Sequence, residues 1–178
     1  MNNLLFLIHY NNGDIMYYVN IFFLYSIIGF ILEYIMYLIN GYEGGILYGF
    51  WTPIYGIGAV VISLIYNKFI EKLHHHKILK FIIIFLTGFF LLTIIEFIGG
   101  NLIKLIFGET MWNYSDYEFN IGKFISLEMA TIWGVSSLIL IYLKDITDKI
   151  VKKIPKFISW ILIILFIVDL ICTFLFKT

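Results

Sequence analysis

Four carboxylic acids stand inside stretches that are otherwise Ile, Leu and Phe: Glu33, Glu96, Glu128 and Asp169. An acid near the centre of a bilayer costs about 2.5–3.5 kcal/mol, so acids in such runs hold a cation, pass a proton or anchor a hydrogen-bond network. Helical spacing gives each a neighbourhood. Tyr25, Gly29, Glu33 and Tyr37 share one face, and Gly88, Leu92, Glu96 and Gly100 share another. Thr131, Val135 and Ser136 follow Glu128, and Asp169 has Thr173 one turn onward among Leu and Phe. Two roles stay open for Glu33, Glu96 and Glu128: buried hydrogen-bond partners for tyrosines and backbone, or the charged wall of a binding site. Asp169 reads more readily as packing.

These acids matter because lipid is the solvent of the chain. Of its 178 residues, 61% are hydrophobic, 20% aromatic and 13% charged, whereas soluble domains run at roughly 45–50% apolar and 25% charged. All twelve basic residues are lysines, which removes bidentate guanidinium recognition of phosphate or carboxylate; that residue usage also suggests an AT-rich bacterial genome. Net charge is zero and no basic block carries interleaved aromatics, which argues against a nucleic-acid partner. Cys172 is the single cysteine and cannot pair within the chain. His74, His75 and His76 are consecutive, fan across a helix surface and read as a solvated patch rather than a metal site. No metal site and no cofactor are expected, and the hydrolase and metalloprotease signatures are missing.

The elements that position the acids are apolar runs at 17–39, 52–67, 79–99, 124–143 and 157–176, which predict an all-α integral membrane bundle of five spans in a single membrane domain, 1–178. The run Leu4 to Ile8 is too short for a cleaved signal and precedes a polar turn, Asn11-Asn12-Gly13-Asp14. Residues 100–123 alternate apolar and polar, predicting an interfacial helix over about 101–107 and a loop anchored by Trp112, Tyr114 and Tyr117. Nine lysines flank the second and fourth connections and three fall on the other side, which predicts a cytoplasmic N-terminus and an external C-terminus. Glu33 then lies about 24 Å from the cytoplasmic face, and all four acids occupy the outer half.

Between the first two runs stands "GGILYGFWTPIYGIG", residues 44–58. If helical, Gly45, Gly49, Pro53 and Gly56 form a side-chain-poor stripe beside Tyr48, Thr52, Tyr55 and Ala59. Proline frees a carbonyl, and Gly44 and Gly45 permit a turn that other residues make only with strain. The segment therefore predicts either a broken, re-entrant outer element lining a cavity or a tight hairpin before a proline-started helix. Either places backbone and tyrosine hydroxyls beside the glutamates.

The stretches "YSIIGFILEY" (25–34), "GGILYGFWTPIYGIGA" (44–59), Glu96-Phe97, "WNYSDYEFNIGK" (112–123) and Trp133-Gly134 resemble the bacterial family known as putative ABC-transporter type IV, or CmpB-like ABC transporter permeases. The resemblance covers about residues 20–140 and implies a small multi-pass protein of the bacterial cytoplasmic membrane, a permease by class. Where that family commonly has an arginine, this chain has Lys123, which keeps the charge and loses the fork. No nucleotide-binding Walker motif is present, so an ATPase would be a separate subunit. The expected site is an outward-facing acidic and aromatic pocket of Glu33, Glu96, Glu128, Tyr25, Tyr48, Tyr55, Trp112, Tyr114 and Lys123, bordered by the break at Gly45, Gly49, Pro53 and Gly56. It would bind a small polar or cationic solute, with an ATPase subunit or a second copy as partner. The other readings are an intramembrane enzyme pairing Glu33 with Glu96 or Glu128 on a lipid-type substrate, and a structural membrane subunit without a site.

Overall fold

Bilayer-length apolar runs become helices because lipid offers no partner to a free N–H or C=O. In the computed structural model the described residues are 12–41, 45–73 and 76–177. The run Leu4 to Ile8, Asn11, Gly44, His74 and His75 lie outside them.

Helix α1 spans Asn12–Asn40, and α2 spans Pro53–Ile65 and continues as a π turn over Tyr66–Ile70. Helix α3 (Lys77–Thr87) passes through a second π turn, Gly88–Leu92, into α4 (Thr93–Phe107). A short antiparallel ladder joins β1 (Asn120–Ile121) to β2 (Ile125–Ser126) before α5 (Leu127–Tyr142), α6 (Lys144–Val151) and α7 (Lys156–Lys177). Among the described residues, four stretches are long and apolar enough to cross a membrane: Ile15–Ile39, Pro53–Ile70, Lys77–Phe107 and Lys156–Lys177. Helix α5 together with α6, joined by a bend of 63°, makes a fifth candidate.

Contacts at the two ends establish the alternation of spans. At the lysine-rich end Asn20 of α1 donates to the Val151 carbonyl (3.1 Å) and accepts from Ser159 Oγ of α7 (2.7 Å). At the other end Lys177, which closes α7, donates to the Ile46 carbonyl just beyond α1 (2.8 Å). Helices α1 and α7 thus run parallel. Between them the core is built from Ile21, Ala59 and Val151 and from Ile62, Leu92 and Trp133.

Several boundaries differ from the sequence reading. Residues Asn12 to Asp14 begin α1 instead of forming a turn. The second span gains its length at its far end, through Tyr66–Ile70, and not from the glycine-rich segment. Residues 101–107 are the last turns of α4, continuous with the third span, and not a separate interfacial helix. Gly99-Gly100 does not end that helix because Gly100 is the floor on which the Phe124 ring rests; a Cβ there would strike the ring. The fourth span starts at Leu127, with the Ser126 hydroxyl accepting from Met129 N (3.2 Å) as its N-cap.

Residues 45–51 are not helical. Gly45 has φ +83, in the left-handed region that favours glycine. The helix resumes with Pro53 in its first turn, where a missing N–H costs nothing. The glycine and proline stripe expected of a continuous helix is therefore not formed: Gly45 and Gly49 lie in this non-helical strap, and only Pro53 and Gly56 lie within α2. There Gly56 faces Ser26 Oγ and the Phe22 carbonyl so closely that a Cβ would collide with both. Gly29 of α1 receives the Tyr55 ring in the same way. These two approaches hold α1 and α2 face to face.

Candidate functional site

Glu33 and Glu96 come from different helices, and both act electrostatically on one ring, that of Tyr55. The Thr52 hydroxyl, one residue before α2, donates to Glu33 Oε2 (3.0 Å). Tyr55, a turn later, lies within electrostatic reach of both Glu33 and Glu96. It packs on Trp133 of α5 with ring centroids 5.5 Å apart. Glu96 is 4% exposed and is held at both oxygens: Tyr114 OH donates to Oε1 (2.6 Å) and Trp133 Nε1 to Oε2 (2.8 Å). Threonine, tyrosine and tryptophan are all neutral donors. Among the described residues, the ion pairs are those of Asp148 with Lys144 and Lys152, at the other end of the bundle.

Tyr114 reaches Glu96 because its loop is folded tightly. Gly108 closes α4 with φ 74, and its N–H donates to the Lys104 carbonyl (3.0 Å). Tyr114 N donates to the Lys123 carbonyl (2.8 Å), and Asn120 ties back to the carbonyls of Ser115 (3.1 Å) and Tyr117 (2.6 Å). Burial, and then the Glu96 carboxyl beside it, push the Tyr114 phenol well above its ordinary range, so it remains a neutral donor.

The remaining expected site residues go to different places. Tyr25 shares a hydrogen bond with Thr147 of α6 (2.8 Å), at the lysine-rich end and not beside Glu33. Eight residues separate Tyr25 from Glu33, about 12 Å along the helix, so a common face did not mean a common depth. Tyr48 is exposed; its backbone N–H goes to Asp169, and its ring lies under Lys177 Nζ at 4.5 Å. Lys123 is exposed and serves the loop through its carbonyl. Trp112 packs edge-on against Phe124, with its indole N–H buried and unpartnered. Glu128 Oε2 is likewise buried without a hydrogen-bond partner.

The strap does not turn its free N–H groups toward the glutamates, as the sequence suggested. They go to Asp169. Tyr48 N donates to its Oδ1 (3.0 Å), Gly49 N to its Oδ2 (3.0 Å), Trp51 Nε1 to Oδ2, and Thr173 Oγ1 to Oδ1 (3.3 Å). This four-donor cradle was missed because Asp169 was read from its own helix, where its neighbours are apolar. The usable signal was a count across the chain: a broken segment with spare N–H donors, and one intramembrane acid with a single hydroxyl, Thr173, on its own face.

The architecture is that of an all-α, multi-pass membrane protein with carboxyls held by hydrogen bonds between its elements. Residues 20–174 match the family model described as "Putative ABC-transporter type IV", and the chain belongs to that family. No curated protein and no solved structure matches the chain.

Proposed function

We propose that the protein is the membrane-spanning component of a transporter driven by a separate ATPase subunit, and that it receives a small cationic solute at the Glu33–Tyr55–Glu96 cluster. The observation that carries this reading is that two carboxyls within electrostatic reach of Tyr55 are hydrogen-bonded by neutral donors. A cation entering there gains two carboxylates and an aromatic face without displacing a protein ammonium. In this reading the lysine-rich end is cytoplasmic and the N-terminus lies inside, the C-terminus is external, and the membrane is that of a bacterium. Five spans enclose little space, so a second copy or the partner subunit completes the path.

The test is ligand-induced thermal stabilisation of the detergent-purified protein against a panel of small organic cations, anions and neutral solutes. Binding to the folded state alone raises the melting temperature; a ligand at a hundred times its Kd contributes about 2.7 kcal/mol. At least one cation is expected to shift the parent and to lose that shift in Glu33→Gln. A panel in which only anions or neutral solutes stabilise the parent, or an unaltered response in Glu33→Gln, overturns the reading.

A further inference from the structure

We propose that the turn formed by α6 and the start of α7 is a binding surface for the headgroups of anionic phospholipids, independent of any solute site. Three observations converge on it. Helix α6 leaves α5 at 63° and so lies across the end of the bundle rather than along it. It is also pinned on its inner side: Thr147 is bonded to Tyr25 and the Val151 carbonyl to Asn20, and Asp148 accepts from Tyr17 OH (2.6 Å) and Lys144 (2.7 Å).

The outer side of α6 is ordered by polarity. At helical spacing, the buried pair Thr147 and Val151 is followed round the axis by Ile146 and Ile150, 57% and 45% exposed. Next comes Lys149, and Lys153 follows in the turn just beyond the helix; both are exposed. An apolar strip between the protein-facing side and a basic edge is the layout of a helix lying in the interface, with isoleucines among acyl chains and lysines at headgroup depth.

The basic edge also has charge to spare. Residues 144–156 hold five lysines against two aspartates. Asp148 spends its charge inward on Lys144, while Lys152 reaches it only at 3.8 Å with its side chain 67% exposed. Lys149, Lys153 and Lys156 have no ion pair among those of the described residues. Lysine ammoniums held at headgroup depth select anionic over zwitterionic lipid by on the order of fivefold each where they reach the phosphate plane.

Competitive lipid retention tests this. Purified full-length protein in mild detergent is offered equal amounts of phosphatidylglycerol and phosphatidylcholine, and the retained lipid is quantified by native mass spectrometry. The parent is expected to retain several times more phosphatidylglycerol, and that preference is expected to collapse as ionic strength rises. The variant carrying Lys149→Gln, Lys152→Gln, Lys153→Gln and Lys156→Gln should retain both lipids about equally. Neutralising Lys68, Lys72, Lys77 and Lys80 instead should leave the preference in place. Ile146→Ser with Ile150→Ser keeps every lysine and should lower total retention of both lipids, which keeps the proposal testable if the lysine variant aggregates. Equal retention by the parent, a salt-insensitive preference, or equal losses from the two lysine sets overturns the proposal. A parent without lipid preference that instead binds an acidic protein through Lys149, Lys152, Lys153 and Lys156 assigns the surface to a protein partner and overturns it as well.

Discussion

Asp169 and Glu96 are both buried acids, yet substitution separates their roles. Removing the Asp169 carboxyl leaves the N–H groups of Tyr48 and Gly49 and the Trp51 indole without their acceptor. A buried polar group stripped of its partner costs about 1–3 kcal/mol. Asp169→Ala should therefore lower the melting temperature by several degrees and expose the strap at 45–51 to limited proteolysis. Asp169→Asn, which keeps one oxygen, should fall between. At Glu96 an amide oxygen can accept from Tyr114 or Trp133, while the amide NH2 confronts the other donor. Glu96→Gln is thus expected to cost about 1 kcal/mol in thermal unfolding, a single hydrogen bond's worth. Loss of solute response well beyond that structural cost would mark Glu96 as part of the site.

The pairing of α1 with α2 depends on atoms that are not there. A methyl group at Gly29 would meet the Tyr55 ring and one at Gly56 would meet Ser26 and the Phe22 carbonyl. Gly56→Ala, which meets backbone, should destabilise by about 1–3 kcal/mol, and Gly29→Ala should do so while also moving Tyr55 away from Glu33. Helix α6 gives a pH prediction. Burial raises the Asp148 carboxyl, but Lys144, Tyr17 and Lys152 together outweigh it, and the net shift is downward. An acid depressed in the folded state stabilises above its unfolded value and loses that contribution as pH falls through the folded one. Melting temperature should therefore hold from neutral pH down to the ordinary carboxyl range near pH ~4 and fall below it, with Asp148→Asn flattening that part of the curve. Spans were legible because bilayer thickness imposes length on apolar runs, as at 157–176. The glycines were harder to read: Gly99-Gly100 looks like a helix end until Phe124 is placed against it. Of the proposed site, Glu33, Tyr55, Glu96 and Tyr114 stand out in the sequence as polar groups among apolar ones. The role of Trp133 and the cradle of Asp169 do not, because their partners lie 37 and about 120 residues away.

For the bundle as a unit, the proposed orientation puts the lysine-rich end inside the cell and the loop between α4 and α5 outside. Cysteines introduced at His76 and Asn113, in a Cys172→Ala background, should report this with a membrane-impermeant thiol reagent on intact cells: labelling at 113, protection at 76. The reverse pattern inverts the orientation and with it the outward placement of the glutamates. The cradle around Asp169 also imposes an order of events on synthesis. The strap leaves the ribosome some 120 residues ahead of the acid that receives its N–H groups. At about 5–20 residues per second that is a wait of roughly 6–24 s. Through that interval the first two spans are already in the membrane, and the strap must keep its donors in water or in the care of the insertion machinery. Helix α7 closes the connection between α1 and α2, so a nascent chain stopped before Asp169 carries α1 to α6 and still has an open strap.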